Sequence, residues 1–193
     1  MDEAPVARYL EGLTAVLGEV DRAAVARVVD LVWEAYREGR RVFLIGNGGS
    51  AATASHWMCD LAKGCAVEGR PRLKALSLTD NVALLTALGN DVGYEHVFTE
   101  QLKVFMEPGD LVLAMSVSGN SANVLEAVRY ASDNGAATAG FVGCGGGDLA
   151  GLVDVAVTVD SRNYGHVEDL HAILSHLVSQ CVRARIEAGH DDA

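Results

Sequence analysis

Four ionisable side chains carry the chemistry this chain is best equipped for. His56 and Asp60 lie i, i+4 on a predicted helix and so share one of its faces. Glu168 and His176 fall in a second apolar-periodic segment, the predicted closing helix Val167–Arg185. Two imidazoles and two carboxylates brought to one crevice would bind a borderline-hard divalent metal or form an acid/base set. Each residue also has a quieter reading. Glu168 at a helix start is favoured by the helix dipole, and His176 among Leu174, Leu177 and Val178 could be a satisfied core histidine. Spacing sets one constraint: eight residues separate Glu168 from His176, a rise of about 12 Å in a helix. One metal can take both only if Glu168 precedes the helix proper and folds back.

A second chemistry sits in two Gly/Ser loops. Gly46–Asn47–Gly48–Gly49 turns sharply after the apolar run Val42–Ile45, and Ser50 stands where a helix N-cap belongs. Glycines let the backbone approach a ligand, and free amides at a helix start favour an anion. Ser116–Val117–Ser118–Gly119–Asn120–Ser121 repeats the theme, with hydroxyls from Ser116, Ser118 and Ser121 after another apolar strand. Such donors hold a phosphate without arginine. Capping alone could account for Ser121. No Gly-Lys-Ser/Thr run makes this a P-loop, and GNGGSA lacks the third glycine of a dinucleotide fingerprint.

The elements that must position these groups follow from periodicity. Ala4–Val16 and Arg22–Gly39 read as two amphipathic helices, packed either on another subunit or on one face of the sheet. Strands are expected at Val42–Ile45, Leu73–Leu78, Leu111–Met115, Ala136–Val142 and Val153–Val159. Between them run a helix through His56, one capped by Thr79–Asn81 and ending at Gly89, one over Val97–Phe105 and one over Asn123–Asn134. Asn90–Tyr94 and Gly143–Gly147 read as loops. Alternating strands and helices imply an α/β fold with a parallel sheet covered on both faces. Ligands of such sheets bind at the carboxyl ends of the strands, where both Gly/Ser loops lie. The expectation is one domain over 1–193, with 1–39 a helical extension.

Composition narrows the class. The 193 residues are 50% hydrophobic and carry a net charge of −11, which argues against a nucleic-acid surface. An anionic ligand must be held by local amides and hydroxyls against that field. The opening Met1–Ala4 lacks signal-peptide features, no apolar run is long enough for a membrane span, and Cys59, Cys65, Cys144 and Cys181 form no CxxC pair. Reduced thiols and a cytoplasmic location are expected.

Together, GNGGSA, the helix with His56, the Asn90–Asp91 loop, SVSGNSANV and the closing helix resemble the sugar isomerase (SIS) domains, and among them the phosphoheptose isomerases. The resemblance implies a flavodoxin-like, three-layer sandwich with a five-stranded parallel sheet and an N-terminal helix pair. It also implies a homotetramer with sites at subunit interfaces. The implied activity is conversion of sedoheptulose 7-phosphate to the aldose phosphate through an enediol; alternatives are isomerisation of another sugar phosphate or non-catalytic sugar-phosphate binding. Asn47, Gly48, Gly49, Asn90 and Asp91 would touch the sugar, and Ser116, Ser118 and Ser121 the phosphate, beside Ser50. His56, Asp60, Glu168 and His176 would hold zinc, with Asp60, Glu168 and His176 also moving protons. Asp60 stands where the family pattern has Glu, Glu168 where it has Gln, and Val117 where it has Thr.

Overall fold

The computed structural model describes residues 3–143 and 145–189. Met1, one end of the expected single domain and Cys144 in the Gly143–Gly147 loop lie outside them. Five strands, β1 (Arg41–Gly46), β2 (Lys74–Ser77), β3 (Leu111–Ser116), β4 (Ala137–Gly143) and β5 (Val155–Val159), form one parallel sheet in the order β2-β1-β3-β4-β5. β1 and β3 are buried on both faces almost throughout, which is why they read as continuous apolar runs.

The period of two along β1 feeds two cores. Val42 and Leu44 face α2 (Arg22–Arg37), α3 (Gly49–Cys59) and α7 (Tyr164–Ala188). Phe43 and Ile45 face α5 (Thr99–Phe105) and α6 (Ala122–Asp133), with Leu85 and Leu88 of α4 (Val82–Asp91) at the margin. The architecture is thus three layers, helices on both faces of a parallel sheet. Of the predicted helix pair, α2 covers one sheet face through Val25, Val28, Val29 and Val32, capped by Asp21. Helix α1 (Ala4–Gly18) contributes no buried residue among those described; the Tyr9 hydroxyl donates to Asp169 Oδ2 on α7 at 2.6 Å.

Three local departures from expectation bear on the site. Helix α4 does not end at Gly89 but runs through Asn90 and Asp91, because Val92 N–H still finds the Leu88 carbonyl. Helix α7 begins at Tyr164, capped by Asn163, so Glu168 lies inside the helix and cannot fold back from a position before it. A π-helical turn, Asp60–Gly64, follows α3, with Cys65 N–H on the Asp60 carbonyl. Such turns insert an extra residue and often mark functional positions.

Candidate active site

The sheet order reverses between β1 and β3, and their register sets Gly46 beside Met115. The chain leaving β1 and the chain leaving β3 therefore emerge side by side, at the switch point where open α/β sheets bind ligands. After β1, Gly48 adopts φ 53°, a left-handed conformation that suits glycine, and it occupies the N-cap position of α3. Ser50 is not the cap: it lies within the first turn, 4% exposed. The cause is the sharp turn at Gly48, which starts the helix two residues earlier than a Ser50 cap requires.

After β3, the Ser116 hydroxyl accepts from Gly119 N–H at 3.2 Å, and the Ser118 hydroxyl accepts from Asn120 N–H at 3.2 Å. Ser121 sits at the N-cap of α6, yet its hydroxyl is not spent on capping; it lies 3.3 Å from Ser116 Oγ. Val117 packs with Val159, Val167 and Leu170 and also lines the pocket between the two loops, where as a valine it adds an apolar surface and no donor. The two loops enclose a pocket of about 230 Å³ lined by Asn47, Ser50, Ser116, Ser118, Ser121, Tyr164 and Glu168. Glu168 reaches it across the start of α3, with its carboxylate against Gly49.

The second cluster lies further along the same two helices. Trp57 of α3 is fully buried on Phe141, and its Nε1–H donates to Ser179 Oγ of α7 at 3.1 Å. That anchor fixes α3 against α7 and brings the neighbouring His56 to His176, Nε2 to Nε2 at 2.8 Å. Asp60 Oδ2 lies 3.3 Å from His56 Nε2 and 3.5 Å from His176 Nε2. It is buried and has no hydrogen-bond partner among the described residues. Two imidazole nitrogens and an unsatisfied carboxylate oxygen converging on one point fit a divalent cation such as zinc.

The expected residues thus divide. His56, Asp60 and His176 come together, whereas Glu168 does not join them as a fourth metal ligand. Its place two helical turns before His176 puts it in the serine-lined pocket instead. Asn90 and Asp91 stand on the last turn of α4, with Asn90 Nδ2 donating to Asp91 Oδ1 at 2.7 Å, and they do not line that pocket.

Three polar residues at the site escaped the sequence reading: Tyr94, Asn123 and Tyr164. Asn123 is 2% exposed and pairs with Asn47 through both side-chain amides, and the Tyr94 hydroxyl donates to Asn47 Oδ1 at 2.9 Å. The available signal for Asn123 was a polar residue on the inner face of an otherwise apolar helix start, Val124–Leu125–Ala127–Val128.

A serine-lined pocket at the sheet's switch point, with a His/Asp/His cluster that could hold a metal further along the same two helices, makes up the candidate site, and comparison with known proteins places the chain in a family. The SIS domain family matches residues 8–143. A phosphoheptose isomerase of Rhodospirillum rubrum is 39% identical over 155 residues, 80% of this chain and 82% of that protein. One from Nitratidesulfovibrio vulgaris is 40% identical over 157 residues, 80% and 75% of the respective chains. The structure of the Neisseria gonorrhoeae phosphoheptose isomerase superposes with a TM-score of 0.88 at 28% identity, covering 94% of this chain and 98% of that one. The chain belongs to the SIS domain family and, within it, to the phosphoheptose isomerases.

Proposed function

We propose that this chain interconverts sedoheptulose 7-phosphate and the corresponding aldose, D-glycero-D-manno-heptose 7-phosphate, through an enediol. The observation that carries the reading is a single pocket joining three serine hydroxyls to a carboxylate, Glu168, in a member of this family. Ser116, Ser118, Ser121 and the amides opening α3 hold the phosphate. Binding energy from that remote group orients the reacting carbons.

Glu168 is the base in this reading. It takes the proton from C1 of the ketose, the C1–H electrons form the C1–C2 double bond, and the C2 carbonyl oxygen takes up the charge. The same carboxyl returns the proton to C2, and the C1 hydroxyl proton passes to the C2 oxygen, so that C1 becomes the aldehyde and C2 carries the hydroxyl. Its support is position: Glu168 lines the phosphate pocket, whereas Asp60 is turned toward the imidazoles. The family pattern places an amide at this position, so a carboxylate at 168 departs from that pattern. His56, Asp60 and His176 would hold a zinc ion, whose Lewis acidity offsets negative charge gathering on the enediol oxygens. His176 then serves as a ligand, not as a proton shuttle.

The homotetramer belongs to the same proposal. Its support is an apolar groove of about 710 Å³ between α1–α2 and α7, lined by residues including Leu17, Val25, Ile173 and Leu177. Val6 and Leu10 of α1 are also exposed. No helix among the described residues is long and apolar enough to cross a membrane, and Cys59, Cys65 and Cys181 are free thiols, which suits the cytoplasm.

The test is incubation of the purified protein with a panel of ketose phosphates, with and without chelator. Turnover of the seven-carbon substrate above pentulose and hexulose phosphates supports the assignment. Binding without turnover would favour a sugar-phosphate sensor.

A further inference from the structure

The Asn47 carboxamide has four hydrogen-bonding positions, two acceptor and two donor. Three are occupied within the protein. Asn47 Nδ2 donates to Asn123 Oδ1 at 2.8 Å, Asn123 Nδ2 donates back to Asn47 Oδ1 at 2.9 Å, and the Tyr94 hydroxyl donates to the same oxygen at 2.9 Å. Both lone pairs of Oδ1 are thereby used. What remains is one N–H, on a residue that lines the serine pocket.

The two partners differ in how they are held. Asn123 is 2% exposed in the first turn of α6, directly behind Ser121, so its amide is fixed by the same helix start that carries the serine hydroxyls. Tyr94 is 55% exposed, on a short 3-10 turn, Tyr94–His96, that His96 ties to α6 through a 2.8 Å bond to Glu126. Asn47 is therefore held from two sides, one buried and one exposed. An unheld asparagine would offer a ligand its oxygen or its nitrogen with equal ease. Here the amide is pre-set.

We propose that Asn123 and Tyr94 are positioning residues that commit Asn47 to donate its remaining N–H to an oxygen of the bound sugar phosphate. The proposal rests on the functional reading above, that this pocket takes a sugar phosphate. It adds a selectivity: the pocket requires an acceptor, a hydroxyl, carbonyl or phosphate oxygen, opposite Asn47. A deoxy or ammonium-bearing analogue at that place loses the contact.

A double-mutant cycle tests it, read by calorimetric binding of sedoheptulose 7-phosphate with turnover measured in parallel. Asn123→Asp sets a carboxylate oxygen against Asn47 Oδ1 and forces the amide to turn. Tyr94→Phe frees one Oδ1 lone pair without touching the core. Each should weaken binding and raise KM by about tenfold, the scale of one hydrogen bond, with kcat changed far less. In an Asn47→Ala background neither substitution should weaken binding further. Equal losses with and without Asn47, or unchanged affinity in the single variants, would overturn the proposal. If Asn123→Asp fails to fold, Tyr94→Phe alone completes the cycle, since its side chain is exposed. A wild-type protein that binds no ketose phosphate defeats the functional reading itself and this proposal with it. A wild type that binds, with an additive cycle, defeats only the assignment of Asn123 and Tyr94.

Discussion

The Glu168 carboxylate fills the space a side chain at Gly49 would need: a Cβ there would overlap Oε1 and Cδ. Glycine at the first position of α3 is what lets an acid on α7 reach across into the phosphate pocket. Gly49→Ala should push that flexible carboxylate aside and leave the backbone alone. The melting temperature should move by less than about 4 °C, while kcat falls about tenfold or more through lost positioning. Thermal melts and initial rates on one preparation check both halves.

Separate substitution of the two carboxylates distinguishes their roles. Glu168→Gln should remove most of kcat while retaining bound metal. Asp60→Asn should lower metal content, because it removes the anionic donor between two imidazoles. Elemental analysis beside kinetics reads the difference, and an active Glu168→Gln protein would transfer the base to Asp60.

Metal binding by His56, Asp60 and His176 needs deprotonated donors, so occupancy should fall as the solution is acidified. Dialysis of wild type, His56→Ala and His176→Ala against a zinc buffer should give stoichiometric metal only in the first. Full turnover by chelated, metal-free protein would contradict the Lewis-acid role.

Ser121 makes a cleaner test of phosphate binding than most N-cap serines. Losing an N-cap bond typically costs about 1 kcal/mol, but the Ser121 hydroxyl makes no capping bond here. Ser121→Ala should therefore leave stability nearly unchanged. A charge-assisted bond to phosphate, worth about 1.5–3 kcal/mol, should be lost and appear in KM. Ser118→Ala should raise KM in the same way, with a small loss of stability because its hydroxyl accepts from Asn120 N–H, and an unchanged KM in both would place the phosphate elsewhere.

His171 predicts an acid limit on stability. It is 1% exposed, and burial pushes its pKa from the ordinary 6.5 down to about 4. The unfolded chain binds the proton first, so this contribution is complete above pH 6.5 and is lost as pH falls toward 4. The total is about 3 kcal/mol. Urea unfolding between pH 7.5 and 4.5 should show that decline in wild type and a shallower one in His171→Leu. Equal slopes would assign acid lability to other groups.

Strands and cradle loops were legible in the sequence for a simple reason. A doubly covered strand such as Leu111–Ser116 is apolar throughout, and the turns after β1 and β3 need glycine. Helix ends were less legible, because they depend on single hydrogen bonds. Asn163 accepting from Gly165 N–H starts α7 three residues before the apolar periodicity begins. With that cap in place Glu168 is held inside the helix, and its eight-residue spacing from His176 keeps the two apart. The Asn47–Asn123 pair was invisible for another reason: it joins residues 76 apart, and neither helix periodicity nor turn chemistry encodes such a contact.

The most direct measurement of the central claim is conversion of sedoheptulose 7-phosphate in D₂O, followed by NMR of the product. A carboxylate base working through an enediol holds the abstracted proton where solvent can exchange with it. The account predicts turnover with deuterium at C2 of the aldose phosphate, and loss of that turnover in Glu168→Gln. Conversion without any label would point to direct hydride transfer from C1 to C2. No conversion of this or any ketose phosphate would contradict the isomerase assignment outright.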